Sequence, residues 1–261
     1  MKRFSVIVTG GHGFLGSHLV PLLIKRGHHV FDPSSKECDL RDQKSVQDLF
    51  EKNHPDIVIN AAGNVGGIEY NQKYPYTLFY DNLLMGVHLI EVARKANVKK
   101  FIQIGTTCSY PKFAPIPFSE RDLWNGRPEE TNLPYGEAKK ILFTQLQAAR
   151  QQYGFNGIYL IPVNMYGPGD HFEEEKSHVI PALIKRFVEA KEQNKPSVVI
   201  WGTGNATREF LYVEDAARAI VLAMEKYDGQ DPINIGSGNE ISIKELAHII
   251  RRGVGYDGEI I

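Results

Sequence analysis

Two side chains four residues apart carry the clearest chemistry in this sequence. Tyr135 and Lys139 stand in the run Tyr-Gly-Glu-Ala-Lys directly after Pro134, where a helix can start. That spacing puts both on one helical face. A phenol by itself titrates near pH ~10, and an ammonium beside it favours the phenolate, so the pair suits proton donation or acceptance near neutral pH. A hydroxyl joins them by position. Gly105-Thr106-Thr107-Cys108-Ser109-Tyr110 follows an apolar run at 100–104 and brings Thr106, with Thr107 as second choice, to the end of a strand.

A second constellation lies at the start of the chain. Ile7-Val8-Thr9-Gly10-Gly11-His12-Gly13-Phe14-Leu15-Gly16-Ser17 satisfies both GxGxxG, through Gly11, Gly13 and Gly16, and GxxGxxG, through Gly10, Gly13 and Gly16. Between a strand and a helix, such glycines allow a tight turn and let backbone N–H groups reach a pyrophosphate, with Gly16 permitting close helix–strand packing. The reading is a dinucleotide site over Gly10–Gly16, His12, Phe14 and Leu15 included. Which dinucleotide is decided after the second strand, at Val30-Phe31-Asp32-Pro33-Ser34-Ser35-Lys36. Asp32 at the strand tip would hydrogen-bond a ribose 2′-hydroxyl and select NAD; Ser34, Ser35 and Lys36 offer two hydroxyls and a cation to a 2′-phosphate and select NADP. A solvated turn is the third reading. Asp39 and Leu40 would face the adenine, and Asn60, Ala61, Ala62 and Gly63 would end the third strand beneath the cofactor.

The elements that must position these groups are legible as periodicity. Apolar runs at 4–8, 30–33, 57–60, 100–104 and 157–163 have strand length. Most are separated by helical patterns, around Leu19–Lys25, Val46–Glu51, Leu84–Ala96 and Ala138–Gln152. The alternation predicts an α/β fold with a doubly wound parallel sheet, Rossmann-like, over 1–165. After it the rhythm changes. A loop at 167–176 leads to a helix at 180–191, a strand at 198–201, a strand at 210–213 and a helix at 216–226, read as a small C-terminal substrate lobe over 166–261 with about 205–235 returning to the first domain. Ligands of open α/β sheets bind outside the carboxyl ends of the strands, so the lobe should close over a cofactor there.

Bulk properties narrow the partners. The 261 residues carry 30 Lys and Arg against 31 Asp and Glu, interleaved, which argues against a nucleic-acid surface. The first apolar run is too short for a secretory segment and no later stretch reaches membrane-span length. Cys38 and Cys108 form neither a disulfide framework nor a zinc motif. A cytoplasmic protein without a metal is expected.

Hydroxyl, tyrosine and lysine in this order, after a glycine-rich first turn, resemble the carbonyl-reducing set of the extended short-chain dehydrogenases/reductases. Five further runs resemble the GDP-L-fucose synthases within that family, the Val-Gly-Gly-Ile, Cys-x-Tyr-Pro and Ser-His-Val-Ile-Pro runs being the specific ones and the Arg-Glu-Phe run common to the wider family. They are Asn64-Val65-Gly66-Gly67-Ile68 with Asn71 and Tyr74-Pro75; Cys108-Ser109-Tyr110-Pro111-Lys112; Ser177-His178-Val179-Ile180-Pro181-Ala182-Leu183; Trp201-Gly202; and Arg208-Glu209-Phe210. The resemblance covers essentially the whole chain, although those proteins continue past the position of Ile261. It implies an NADP(H)-dependent epimerisation and reduction of a GDP-linked 4-keto sugar by a homodimer. Cys108 would be the base and His178 the acid at carbon, both able to exchange protons near neutrality. Tyr135 would protonate the carbonyl oxygen, Thr106 bond to it, and Lys139 hold the nicotinamide ribose. Pro162, Asn164 and Met165 would complete the cofactor contacts, and Asn164, His178, Arg186, Trp201 and Arg208 the substrate contacts. Another nucleotide-linked keto sugar is the alternative substrate, and a dinucleotide-sensing module without catalysis the more distant alternative.

Overall fold

The computed structural model describes residues 2–173, 177–200 and 202–261. The first half alternates β1 (Ser5–Thr9), α1 (Phe14–Lys25), β2 (His29–Phe31), α2 (Gln43–Asn53), β3 (Ile57–Asn60), α3 (Ile68–Lys73), α4 (Pro75–Lys95) and β4 (Lys100–Ile104). Then come α5 (Leu133–Tyr153), β5 (Gly157–Pro162), β6 (Asn164–Tyr166), α6 (Val179–Glu192), β7 (Ser197–Val198) and β8 (Thr207–Tyr212). The chain closes with α7 (Val213–Lys226), β9 (Ile233–Ile235), β10 (Glu240–Ser242), α8 (Ile243–Val254) and β11 (Glu259–Ile260).

Side-chain alternation along the strands builds the layers. Ile7, Val58, Phe101, Tyr159 and Ile161 point to one face, where α2, α4 and α5 cover them. Val6, Val8, Ile57, Ile59, Ile102, Ile104, Ile158 and Leu160 point to the other, against α1 and α7. Burial on both faces is the reason these strands read as continuous apolar runs. The six-stranded sheet has the order β2-β1-β3-β4-β5-β9, every neighbouring pair parallel. All its carboxyl ends therefore share one edge. From β1 the chain turns outward to β2 and then returns past β1 to β3, so the order reverses between β1 and β3, and a crevice opens there.

Beyond β5, a sheet of β10, β8 and β6 flanks that edge, and α6 and α8 bury their own cluster around Phe187, Leu246 and Ile250. Several elements depart from the sequence reading. Of the strand expected at 198–201, Val198 lies in β7, Ser197–Val198, which pairs with Glu259 and Ile260 of β11, while Trp201 lies outside the described residues. Residues 164–166, to which the sequence reading assigned no element, form a separate strand against β8. β9 and α8 were not foreseen, although Ser242 caps α8 by accepting the Glu245 N–H at 3.1 Å, a Ser-x-x-Glu start visible in the sequence.

Helices α4 and α5 touch along their length, and Gly86 sets their separation: a Cβ there would lie 2.2 Å from Leu142 Cδ1. Gly86→Leu should destabilise the fold by about 1–3 kcal/mol through overpacking, despite the better helix propensity. An unchanged denaturation midpoint would show that α5 yields without cost.

Candidate active site

The glycine turn meets the crevice between β1 and β3. Gly10 has φ of 73°, and a Cβ on it would stand 2.8 Å from the Ala61 carbonyl group; a Cβ on Gly16 would stand 2.1 Å from the Gly10 oxygen. Only glycine satisfies both demands. No side chain caps α1, so its first amides face the crevice as an anion site. This arrangement fits the pyrophosphate of a dinucleotide.

At the tip of β2, Asp32 lies just past the strand and its carbonyl bonds the His12 ring at 2.9 Å. A Cβ on Gly11 would meet Asp32 Cβ at 2.5 Å, so the Asp32 side chain rests on the glycine turn. Ser34 donates both its N–H, at 2.8 Å, and its O–H, at 2.7 Å, to the Glu37 carboxylate, which these bonds hold below the usual carboxylate range. Ser35 and Lys36 sit beside it, Lys36 exposed. Arg41 clamps Asp39 through both oxygens, drawing its carboxyl down to about 2, and also reaches Asp81 of α4 at 3.4 Å; Leu40 is buried.

The reacting end is built by β3, β4 and the start of α5. Thr106 caps a short 3-10 turn, Thr107–Ser109, by accepting the Cys108 N–H at 3.2 Å. Ser109 Oγ donates to the Gly136 carbonyl at 2.8 Å and ties that turn to the first turn of α5. The approach is close: a Cβ on Gly136 would fall 2.3 Å from the Cys108 carbonyl oxygen. Tyr135 and Lys139 face inward on α5, 8% and 5% exposed. Lys139 Nζ donates to the Ala62 carbonyl at 3.1 Å and lies 3.3 Å from where a Cβ on Gly63 would be.

Burial governs the protonation of this cluster. It pushes the Tyr135 phenol up, with further upward pressure from Cys108, against which the Thr106 hydroxyl works. It pushes the Cys108 thiol up, offset by the Thr106 hydroxyl and then by the Arg208 charge. It pushes the Lys139 ammonium down to about 8. The expectation that Lys139 lowers the Tyr135 phenol is therefore corrected for the free protein: removal from water dominates, and the group that works against it is the Thr106 hydroxyl. The hydroxyl bonded to the phenol is that of Thr106, while Thr107 enters the 3-10 turn.

Thr106, Cys108, Tyr135, Lys139, Ala62 and Gly63 thus come together, with the exposed Arg208 of β8 in electrostatic range of Cys108. Pro162 ends β5 and Met165, within β6, packs against the core cluster shared with α1 and α7, while Asn164 Nδ2 donates to the Glu209 carbonyl at 3.1 Å. His178 enters from another element, as the first residue before α6, and Arg186 stands within that helix. Trp201 lies outside the described residues. The sequence reading took Asn60 only as a strand end beneath the cofactor and not as the amide that braces this end, and it missed Asp170, buried opposite His178. Their only signals were a polar residue closing an apolar strand and a Gly-Pro-Gly-Asp turn. Among the described residues no group of three or more His, Cys, Asp or Glu side chains could hold a metal ion.

The NAD dependent epimerase/dehydratase family model matches residues 6–236. The chain belongs to that family. Within it, the chain is 42% identical to the probable GDP-L-fucose synthase 1 of Oryza sativa subsp. japonica over 262 residues, all of this chain and 80% of that one. Among solved structures, a GDP-6-OMe-4-keto-L-xylo-heptose reductase from C. jejuni superposes with a TM-score of 0.92 at 29% identity, covering all of this chain and 85% of that one. A GDP-L-fucose synthetase from Naegleria fowleri bound to NADP gives 0.88 at 30% identity, covering 98% and 79%. The parallel sheet and glycine turn described above are the shared framework of this epimerase/dehydratase family.

Buried Lys139 gives a stability signature. Its folded value, about 8, lies below its ordinary 10.5. The unfolded chain therefore binds the extra proton, and the cost of burying the charge is full below pH ~8 and fades as pH rises towards ~10.5. Lys139→Met should stabilise the free protein at pH ~7 by roughly 1–3 kcal/mol while abolishing turnover, and the gain should shrink at pH ~10. Thermal melts of both proteins at the two pH values check this.

Proposed function

We propose that this chain is an NADPH-dependent epimerase and reductase that converts GDP-4-keto-6-deoxy-D-mannose to GDP-L-fucose. The observation that carries the reading is the meeting of the Cys108 thiol, the Thr106 hydroxyl and the Tyr135 phenol beside Lys139 at the carboxyl edge of the sheet. A reductase needs the hydroxyl, phenol and ammonium alone. A thiol added to them provides a base for a carbon acid, and the 4-keto group acidifies the hydrogens on C3 and C5. The named relatives in rice and Naegleria support the same substrate and cofactor.

In this reading Cys108 removes a proton from carbon and His178 returns one to the opposite face, after which Tyr135 protonates the C4 oxygen with Thr106 bonded to it. NADPH, when bound, supplies the hydride to C4. Gly10, Gly11, His12, Gly13, Phe14, Leu15 and Gly16 would hold its pyrophosphate and Lys139 its nicotinamide ribose. Ser34, Ser35 and Lys36 would hold the 2′-phosphate and Asp39 and Leu40 the adenine, with Ala61, Ala62, Gly63, Pro162, Asn164 and Met165 completing the contacts. On the lobe, Arg186 and Arg208 suit a diphosphate, Arg being a bidentate partner for phosphate, with Asn164 and Trp201 beside the sugar nucleotide. The C. jejuni likeness keeps a second reading in view, a C4 reductase of another GDP-linked keto sugar. We place the protein in the cytoplasm as a homodimer paired through α4 and α5, whose outer faces expose Tyr80 and Ile141; no described helix is long and apolar enough to cross a membrane.

Two experiments bear on this. NADPH should bind more tightly than NADH, and Lys36→Ala should remove most of the difference, one charge-assisted contact being worth roughly 1.5–3 kcal/mol. Equal affinities in the unmodified protein, by calorimetry, would transfer the ribose to Asp32. For catalysis, Tyr135→Phe should lower reduction by roughly 10²–10⁴-fold while deuterium uptake from D₂O at C3 and C5 persists. Cys108→Ser should suppress that uptake. Uptake at the unmodified rate in Cys108→Ser, followed by NMR, would leave only a C4 reductase.

A further inference from the structure

The turn after β6 holds a carboxylate that the reaction as described does not use. Asp170 ends Gly167-Pro168-Gly169-Asp170, and its side chain is 3% exposed. Oδ1 accepts the His171 N–H at 2.8 Å. Oδ2 is buried with no partner, the one such carboxylate oxygen among the described residues. An empty acceptor in a site shielded from water is costly, more so when charged, so this carboxylate has capacity for a further donor.

The neighbouring charges already have partners. His171 Nδ1 stands 3.5 Å from Glu173, and Lys185 pairs with Glu189 at 3.9 Å while donating to the Phe172 carbonyl at 3.4 Å. His178 approaches the same carboxylate from the other side of the turn: its Nδ1 lies 3.8 Å from Oδ1, the oxygen that also accepts the His171 N–H. That distance exceeds a hydrogen bond, but hydrogen bonds of catalytic groups are often long before substrate binds and shorten afterwards. The environments differ across the ring, since the His178 side chain is 45% exposed and Asp170 is enclosed. With Nδ1 turned to the carboxylate, Nε2 is the nitrogen left for a ligand.

We propose that Asp170 is a positioning residue for His178: it accepts the Nδ1–H, fixes the ring, and reserves Nε2 for the proton delivered to carbon. The proposal rests on reading His178 as the acid. In the step, the Nε2–H bond breaks as the C–H bond forms, the electron pair coming from the carbanion that Cys108 made by taking the proton from the other face. The ring is left neutral with its proton on Nδ1, facing Asp170, and Nε2 regains a proton from water. Without the carboxylate the neutral ring can hold its proton on either nitrogen and is free to rotate.

Asp170→Asn keeps the side chain's size and tests this. Deuterium uptake at C3 and C5 should fall on the order of tenfold or more, part of the contribution of a full proton donor. The KM for the keto sugar and the NADPH dissociation constant should hold, and Asp170→Glu should restore part of the rate. In protein labelled with ¹⁵N in its histidine rings, neutral His178 should be the Nδ1–H tautomer and move towards Nε2–H in Asp170→Asn. Unchanged uptake in Asp170→Asn overturns the proposal, as does an Nε2–H tautomer in the unmodified protein, which decides the matter even if the variant misfolds. His178→Gln separates the two levels. Normal uptake there removes His178 from the reaction altogether, whereas loss of uptake there with normal uptake in Asp170→Asn removes only the role of Asp170.

Discussion

The side chain of Asn60 ends β3 with bonds in three directions. Its oxygen accepts the Thr9 hydroxyl at 2.8 Å and the Ala62 N–H at 3.2 Å, and its nitrogen donates to Gln103 at 2.9 Å, which in turn donates to the Ile104 carbonyl. All of this is buried, where a satisfied polar network is rigid and a broken one is expensive. It locks the carboxyl ends of β1, β3 and β4 in mutual register. Those ends carry the glycine turn, the Ala62 carbonyl that holds Lys139, and the Thr106 turn that holds Cys108. The precision of the reacting cluster is thus inherited from an amide that takes no part in the chemistry.

Around that frame, enclosure holds the reacting groups in their uncharged forms or eases them towards neutrality. The Tyr135 phenol and the Cys108 thiol are kept protonated, and the Lys139 ammonium is brought within reach of losing its proton. A site so arranged stores its polarity until a ligand with its own charges arrives. Functional clusters commonly combine burial and shifted protonation in this way.

How far the sequence disclosed this depends on the interaction involved. The parallel strands were legible because burial on both faces writes an uninterrupted apolar run, and the glycine turn because its backbone admits no side chain. Tyr135 and Lys139 were legible from a local spacing. What escaped depended on distant segments meeting. β7 needed β11, 62 residues further on by the Ser197–Glu259 pairing, to exist at all. Asp170 looked like a turn residue until His178 appeared opposite it, and Asn60 looked like a strand end until Gln103 stood beside it. The direction of the Tyr135 shift was misjudged for a related reason, since spacing reports a neighbour's charge but not how much water the fold removes.

The Glu37 carboxylate on the two donors of Ser34 carries a consequence for the proposed binding of a 2′-phosphate by Ser34, Ser35 and Lys36. The free protein already fills that corner with an anionic group of its own, tethered three residues away. An incoming phosphate would meet an exchange of one anion for another, not an empty cradle. In such a swap the gain is the difference between two similar bonds, so discrimination at this corner is set by how readily the tethered carboxylate swings aside. Small changes in the loop could then retune cofactor preference while the glycine turn and the reacting cluster stay as they are.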